Sequence, residues 1–77
     1  MNSLITINPN VRLGKPCITG TRITVYEILE LLRDGATFSE ITTDYYEGLQ
    51  VEDLQACIQY ALDVVRIEDL HVSVVPA

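Results

Sequence analysis

Two copies of one four-residue signal, Thr24-Val25-Tyr26-Glu27 and Thr37-Phe38-Ser39-Glu40, divide this chain into short helices. In each, a Thr hydroxyl is placed to accept from the third helical N–H while the Glu carboxylate reaches back to the Thr N–H. Helices are therefore expected to start at Val25 and at Phe38, with Gly35 between them as a left-handed stop. Val25, Ile28, Leu29 and Leu32 recur at helical spacing, with Glu27, Glu30 and Asp34 on the other side. Phe38, Ile41 and Tyr45 give the second helix a short apolar face, little more than two turns long. Tyr46-Glu47-Gly48-Leu49-Gln50 reads as a turn, and after it Val51, Leu54, Ile58, Ala61, Leu62 and Val65 form the most regular stripe in the chain. This predicts a third and longest helix with that stripe inward, and with Glu52 and Asp53 in the first turn, where the macrodipole favours negative charge.

The helices are preceded by a different kind of sequence. Leu4 to Ile7 alternates weakly and is rich in β-branched residues, and Asn8-Pro9-Asn10 ends it, which predicts a short strand. Arg12 to Val25 then holds three of the five basic residues and two of the four glycines. Gly14 and Gly20 can take positive φ, and Pro16 holds Lys15 extended, so the stretch reads as a shaped loop. Cys17, Ile18, Ile23 and Val25 are expected to anchor it to the core as a hairpin, leaving Lys15, Thr19, Thr21 and Arg22 outward. The fold class expected is mainly α: a three-helix helix-turn-helix bundle, homeodomain-like, preceded by a short β-hairpin. Residues 1–66 form one domain in this reading and 67–77 a C-terminal tail, the stretch from His71 to Val75 suiting an extended conformation.

The words Gly14-Lys15-Pro16, Ile18, Gly20-Thr21-Arg22-Ile23 and Val25 resemble the pattern G-K-P-x-I-x-G-T-R-I-x-V of the bacterial and archaeal domain-of-unknown-function family 433. The resemblance continues through Gly35, Ile41, Tyr45, Leu49 and Ala61 and covers about Ile5 to Val65. Gln50 departs from it, since the family usually has Thr or Ser there, which weakens the cap expected for the third helix. The resemblance implies a trihelical arrangement. Where a role has been proposed, such domains resemble antitoxins encoded beside PIN-like ribonuclease toxins.

Charge and size narrow the functions available. Five basic residues against eleven acidic leave a formal net charge of -6, which disfavours tight autonomous binding to a polyanion. A chain of 77 residues buries only about 60–65% of its unfolded surface, so a homo-oligomer is expected. Cys17 and Cys57 sit among apolar residues and are expected to be reduced, buried hydrophobes. With no basic leader, signal-peptide core or membrane span, the cytoplasm is the default compartment.

Candidate sites follow from these features. Gly14-Lys15 is not a phosphate loop, because Pro16 follows it and the other Gly lies downstream. His71 has no companions at zinc spacing, and no Ser or Cys has a base partner, so neither metal, cofactor nor enzyme activity is expected. Two functions remain. In the first, an antitoxin-like interaction protein binds a PIN-like ribonuclease through Lys15, Thr21, Arg22, Arg12 and Arg66, with Arg22 foremost because its fork suits a carboxylate. In the second, a helix-turn-helix transcriptional regulator reads DNA through Gln55 and Gln59, beside the outward Glu52 and Ala56. Arg22 could equally brace its own domain against Glu27 or Glu30.

Overall fold

The structure is a computed structural model that describes residues 3–71, with side chains described for 3–68. The chain runs as two short strands, a tight turn between them, and three helical segments. Strand β1, Ile5–Thr6, pairs antiparallel with β2, Cys17–Ile18, in the register Ile5 opposite Ile18 and Thr6 opposite Cys17. The chain then folds back so that Thr24 bridges to Cys17. The hairpin expected from the sequence is thus present, with Cys17, Ile18 and Val25 buried and Ile23 packed partly against them.

Helix α1, Val25–Arg33, starts where the capping box places it: Thr24 Oγ1 accepts from Glu27 N–H at 3.1 Å, and Glu27 Oε1 accepts from Thr24 N–H at 3.2 Å. It ends in a paired-bond terminus, in which Ala36 N–H donates to the Leu31 carbonyl and Gly35 N–H to that of Leu32. Gly35 has φ +97°, which is why a glycine stands at this position.

Helix α2, Phe38–Glu40, opens on the second capping box, with both bonds between Thr37 and Glu40 present. It continues as a π-helical segment, Ile41–Tyr45, closed by Tyr46 N–H donating to the Ile41 carbonyl at 2.8 Å. This corrects the expected apolar face. A wider turn moves the next inward position along by one residue, so Tyr46 packs against the core while Tyr45 is 56% exposed.

Helix α3, Val51–His71, is the longest element, as expected, and continues beyond the boundary drawn at residue 66. Residues 72–77 lie outside the described residues. At the start of α3, Gln50 offers no hydroxyl, yet Asp53 Oδ2 accepts from Gln50 N–H at 2.8 Å, so the return half of a capping box survives. The inward face is Leu54, Ala56 and Cys57, with Tyr60 packed partly against the core. That corrects the predicted stripe: Leu54 is fully buried, but Val51, Leu62 and Val65 are 43%, 58% and 57% exposed. It also turns Ala56 inward. The small body formed by α1, α2 and the hairpin covers only the first half of a 21-residue helix, so the stripe's second half has no partner among the described residues.

The core is aliphatic: Ile18, Val25, Ile28, Ile41, Leu54 and Cys57 make one cluster joining the hairpin to all three helical segments. Each large aliphatic member contributes about 1.5–3 kcal/mol as an upper bound. Cys17 and Cys57 are buried free thiols, as the sequence implies. Burial, with a smaller push from Asp53, raises the Cys57 thiol to about 11, which leaves it un-ionised at neutral pH.

Candidate functional site

The basic loop is shaped more strongly than its glycines and proline alone suggest. Asn8 starts it: its side-chain oxygen accepts from Asn10 N–H at 2.9 Å, and its carbonyl accepts from Val11 N–H at 2.9 Å. The chain then makes a tight turn, Arg12–Gly14, in which three consecutive residues have positive φ: Arg12 at +50°, Leu13 at +59° and Gly14 at +80°. Glycine adopts such angles freely, but an L-residue in this region costs about 1–2 kcal/mol, so Arg12 and Leu13 hold strain that the surroundings must maintain.

Arg12 supplies the means. Its Nη1 donates to Glu27 Oε1 at 2.8 Å and to the Arg22 carbonyl at 3.0 Å, tying the turn both to the first turn of α1 and to the far arm of the hairpin. Glu27 is the hub. Besides Arg12, it receives the Thr24 N–H and hydroxyl, and the Tyr46 hydroxyl donates to its Oε2 at 3.2 Å. Partial burial acts to raise the Glu27 carboxyl, but the Thr24 bonds, Arg12 and Tyr46 together outweigh it and hold the group below its ordinary value. Burial, followed by the neighbouring Glu27 charge, pushes the Tyr46 hydroxyl up.

With Arg12 committed to Glu27, the bracing role weighed for Arg22 falls to Arg12 instead. Neither Lys15 nor Arg22 has a side-chain hydrogen-bond or ion-pair partner among the described residues, and both side chains are exposed. Arg12, Lys15 and Arg22 line one open cavity of about 360 Å³ together with Pro9, Asn10 and Leu13. Leu13 stands in this basic setting 93% exposed, at the tip of the strained turn. The sequence reading missed it, although a large apolar residue set between Arg12 and Gly14-Lys15 was the available signal.

The other candidates are placed differently. Thr21 is half-buried, and its hydroxyl donates to the Ile18 carbonyl at 2.8 Å while accepting from Ile23 N–H at 3.0 Å, so it holds the hairpin tip together. Arg66 is exposed on α3 and does not line the cavity that gathers the other three cations. Gln55 and Gln59 are exposed on α3, but the Gln59 amide donates to Asp63 Oδ1 at 2.9 Å. Among the described residues no group of three or more His, Cys, Asp or Glu side chains could hold a metal ion, and no helix is long and apolar enough to cross a membrane.

Fold and site together define a small helix-turn-helix domain with a braced basic turn on its β-hairpin side. The comparisons with known proteins agree with the sequence motif: residues 5–61 match the family model described as protein of unknown function (DUF433), and the chain belongs to that family. It is similar to a DUF433 member protein from Anabaena variabilis, known from a crystal structure at 2.00 Å resolution, with 32% sequence identity and a TM-score of 0.74. The match covers 88% of this chain and 66% of that one, so this chain spans just under two thirds of its relative's length. No curated protein matches the chain.

Proposed function

We propose that this chain is an antitoxin-like interaction protein that binds and neutralises a PIN-like ribonuclease, and that the turn Arg12–Gly14 is where it docks. The observation that carries this reading is Leu13, an apolar side chain 93% exposed on a left-handed turn and flanked by Lys15 and Arg22. Strain of this kind collects at ligand clamps and recognition loops. Among the described residues nothing packs over Leu13, and an apolar anchor ringed by cations fits a partner pocket bordered by carboxylates. A metal-dependent ribonuclease of the PIN-like kind presents such an acidic centre. The resemblance of the Gly14-Lys15-Pro16 and Gly20-Thr21-Arg22-Ile23 words to antitoxin-like domains points the same way.

The turn is also held before any partner arrives. Its bonds to Glu27 and to the Arg22 carbonyl fix the backbone, so less freedom is lost on binding than a loose loop would lose. A DNA-reading role for α3 has less behind it. Glu52 is exposed beside Gln55, Gln59 is bonded to Asp63, and a net charge of -6 leaves few phosphate contacts.

The test is a pull-down from the native host at moderate salt, followed by a ribonuclease assay on the captured material with and without added chain. Capture of a small nuclease whose activity the added chain suppresses is the expected result. Capture of promoter DNA without a nuclease favours the regulator reading instead.

A further inference from the structure

The second half of α3's apolar stripe is exposed among the described residues. Beyond Tyr60, α3 leaves the body of the domain, and Leu62, Val64, Val65 and Ile67 are 58%, 40%, 57% and 52% exposed. At 100° per residue Leu62 and Val65 fall about 60° apart, and so do Val64 and Ile67, so the arm carries two exposed apolar strips with Asp63, Arg66 and Glu68 between them. A helix with two such strips has apolar surface left to bury. Beside the arm lies an open groove of about 710 Å³, walled by Tyr26 and Leu29 from α1 and by Tyr60, Ala61, Val64 and Val65 from α3. Tyr26 is 67% exposed on the α1 wall.

We infer that this groove is filled by a second copy of the chain, the α3 arm of each copy lying in the groove of the other about a two-fold axis. Self-complementarity is the first argument. A two-fold interface uses the same patch twice, and Val65 here both lines the groove and projects from the arm. Area is the second. At their observed exposures Tyr26, Leu62, Val64, Val65 and Ile67 present on the order of 500 Å² of apolar surface, most of the about 800 Å² per partner that a stable interface requires. The edges of the contact are polar: Arg12, Lys15, Glu27 and Glu30 line the groove, and residues 61–68 of the incoming arm hold Asp63, Arg66 and Glu68. A polar rim around an apolar, aromatic centre is the usual anatomy of such contacts. Leu13 and Arg22 are absent from the groove's lining, so two such copies leave those two side chains outward, while Arg12 and Lys15 border the contact.

Two single substitutions test this, one on each half of the contact: Leu62→Asp on the arm and Tyr26→Asp on the groove wall. The full chain and both variants are examined by sedimentation velocity over a nanomolar to high-micromolar concentration series, with helix content followed by circular dichroism. The wild type is expected to reach about twice its single-chain mass of 8.6 kDa. Each variant alone is expected to weaken self-association by about 30-fold or more while keeping its helix signal. A wild type that stays at single-chain mass at high micromolar overturns the inference, and so does a dimer that survives both substitutions. A Leu62→Asp chain that loses its helix signal overturns it too, because Leu62 would then be serving its own chain's core. None of these outcomes depends on the ribonuclease reading.

Discussion

Arg12 and Glu27, fifteen residues apart, are joined by a 2.8 Å ion pair that makes the basic turn and the first turn of α1 one mechanical unit. The same guanidinium nitrogen holds the Arg22 carbonyl, so removing it releases the turn from both its supports. Arg12→Ala is expected to cost about 1 kcal/mol, the pair being only partly shielded from solvent. In a domain this small that lowers the thermal midpoint by about 4–8 °C. Arg22→Ala, whose side chain has no partner among the described residues, should leave the midpoint within about 0.5 kcal/mol of wild type. Thermal melts of the two variants side by side check the assignment; equal losses would contradict it.

The Glu27 hub makes stability depend on acid in a defined direction. Its carboxyl is held below the ordinary 4.5, so the folded chain releases that proton more readily than the unfolded chain does. The stability it contributes is present in full above the unfolded value and is lost as pH falls through the lower, folded value. Unfolding midpoints measured from pH 7 down to pH 3 should therefore decline below about 4.5. Glu27→Gln is expected to be less stable at neutral pH and to show a shallower decline. A variant curve parallel to that of the wild type would place the acid sensitivity elsewhere.

Much of this was legible in the sequence because it is local. Both capping boxes, the Gly35 stop and the pairing of the two strands follow from residues a few positions apart or from turn chemistry, and each formed where expected. The failures are tertiary. The inward face of α3 could not be told from the more regular stripe that shares Leu54 with it, because periodicity marks apolar faces without saying which one the body covers. The π-helical segment put Tyr46 where Tyr45 was expected, and no local signal announces a single wide turn. At the site, the cluster of cations was readable, but the division of labour was not: only packing decides that Arg12 braces while Arg22 has no side-chain partner among the described residues.

The corrected face of α3 separates two leucines that the sequence treats alike. Leu54 is fully buried in the core cluster, and Leu54→Ala is expected to cost about 2–5 kcal/mol, enough to unfold much of a domain this size. Leu62 is 58% exposed, and Leu62→Ala at dilute, monomeric concentration should cost no more than about 0.5 kcal/mol. Denaturant midpoints decide it; equal losses would return Leu62 to the chain's own core.

Strain at Leu13 should be measurable as a trade between stability and recognition. Asn tolerates the left-handed region better than Leu, so Leu13→Asn is expected to raise stability by about 0.5–1 kcal/mol while removing the exposed apolar anchor. A midpoint that falls would mean that Leu13 packs usefully on its own domain.

The central claim is that the strained basic turn is the docking element, and titration calorimetry of the chain against the ribonuclease it captures tests it most directly. Leu13→Asn and Arg22→Ala are each expected to weaken binding by about 2 kcal/mol or more, with folding stability kept or improved. Affinity that stays at the wild-type level in both variants would contradict the account and place the recognition surface away from this turn.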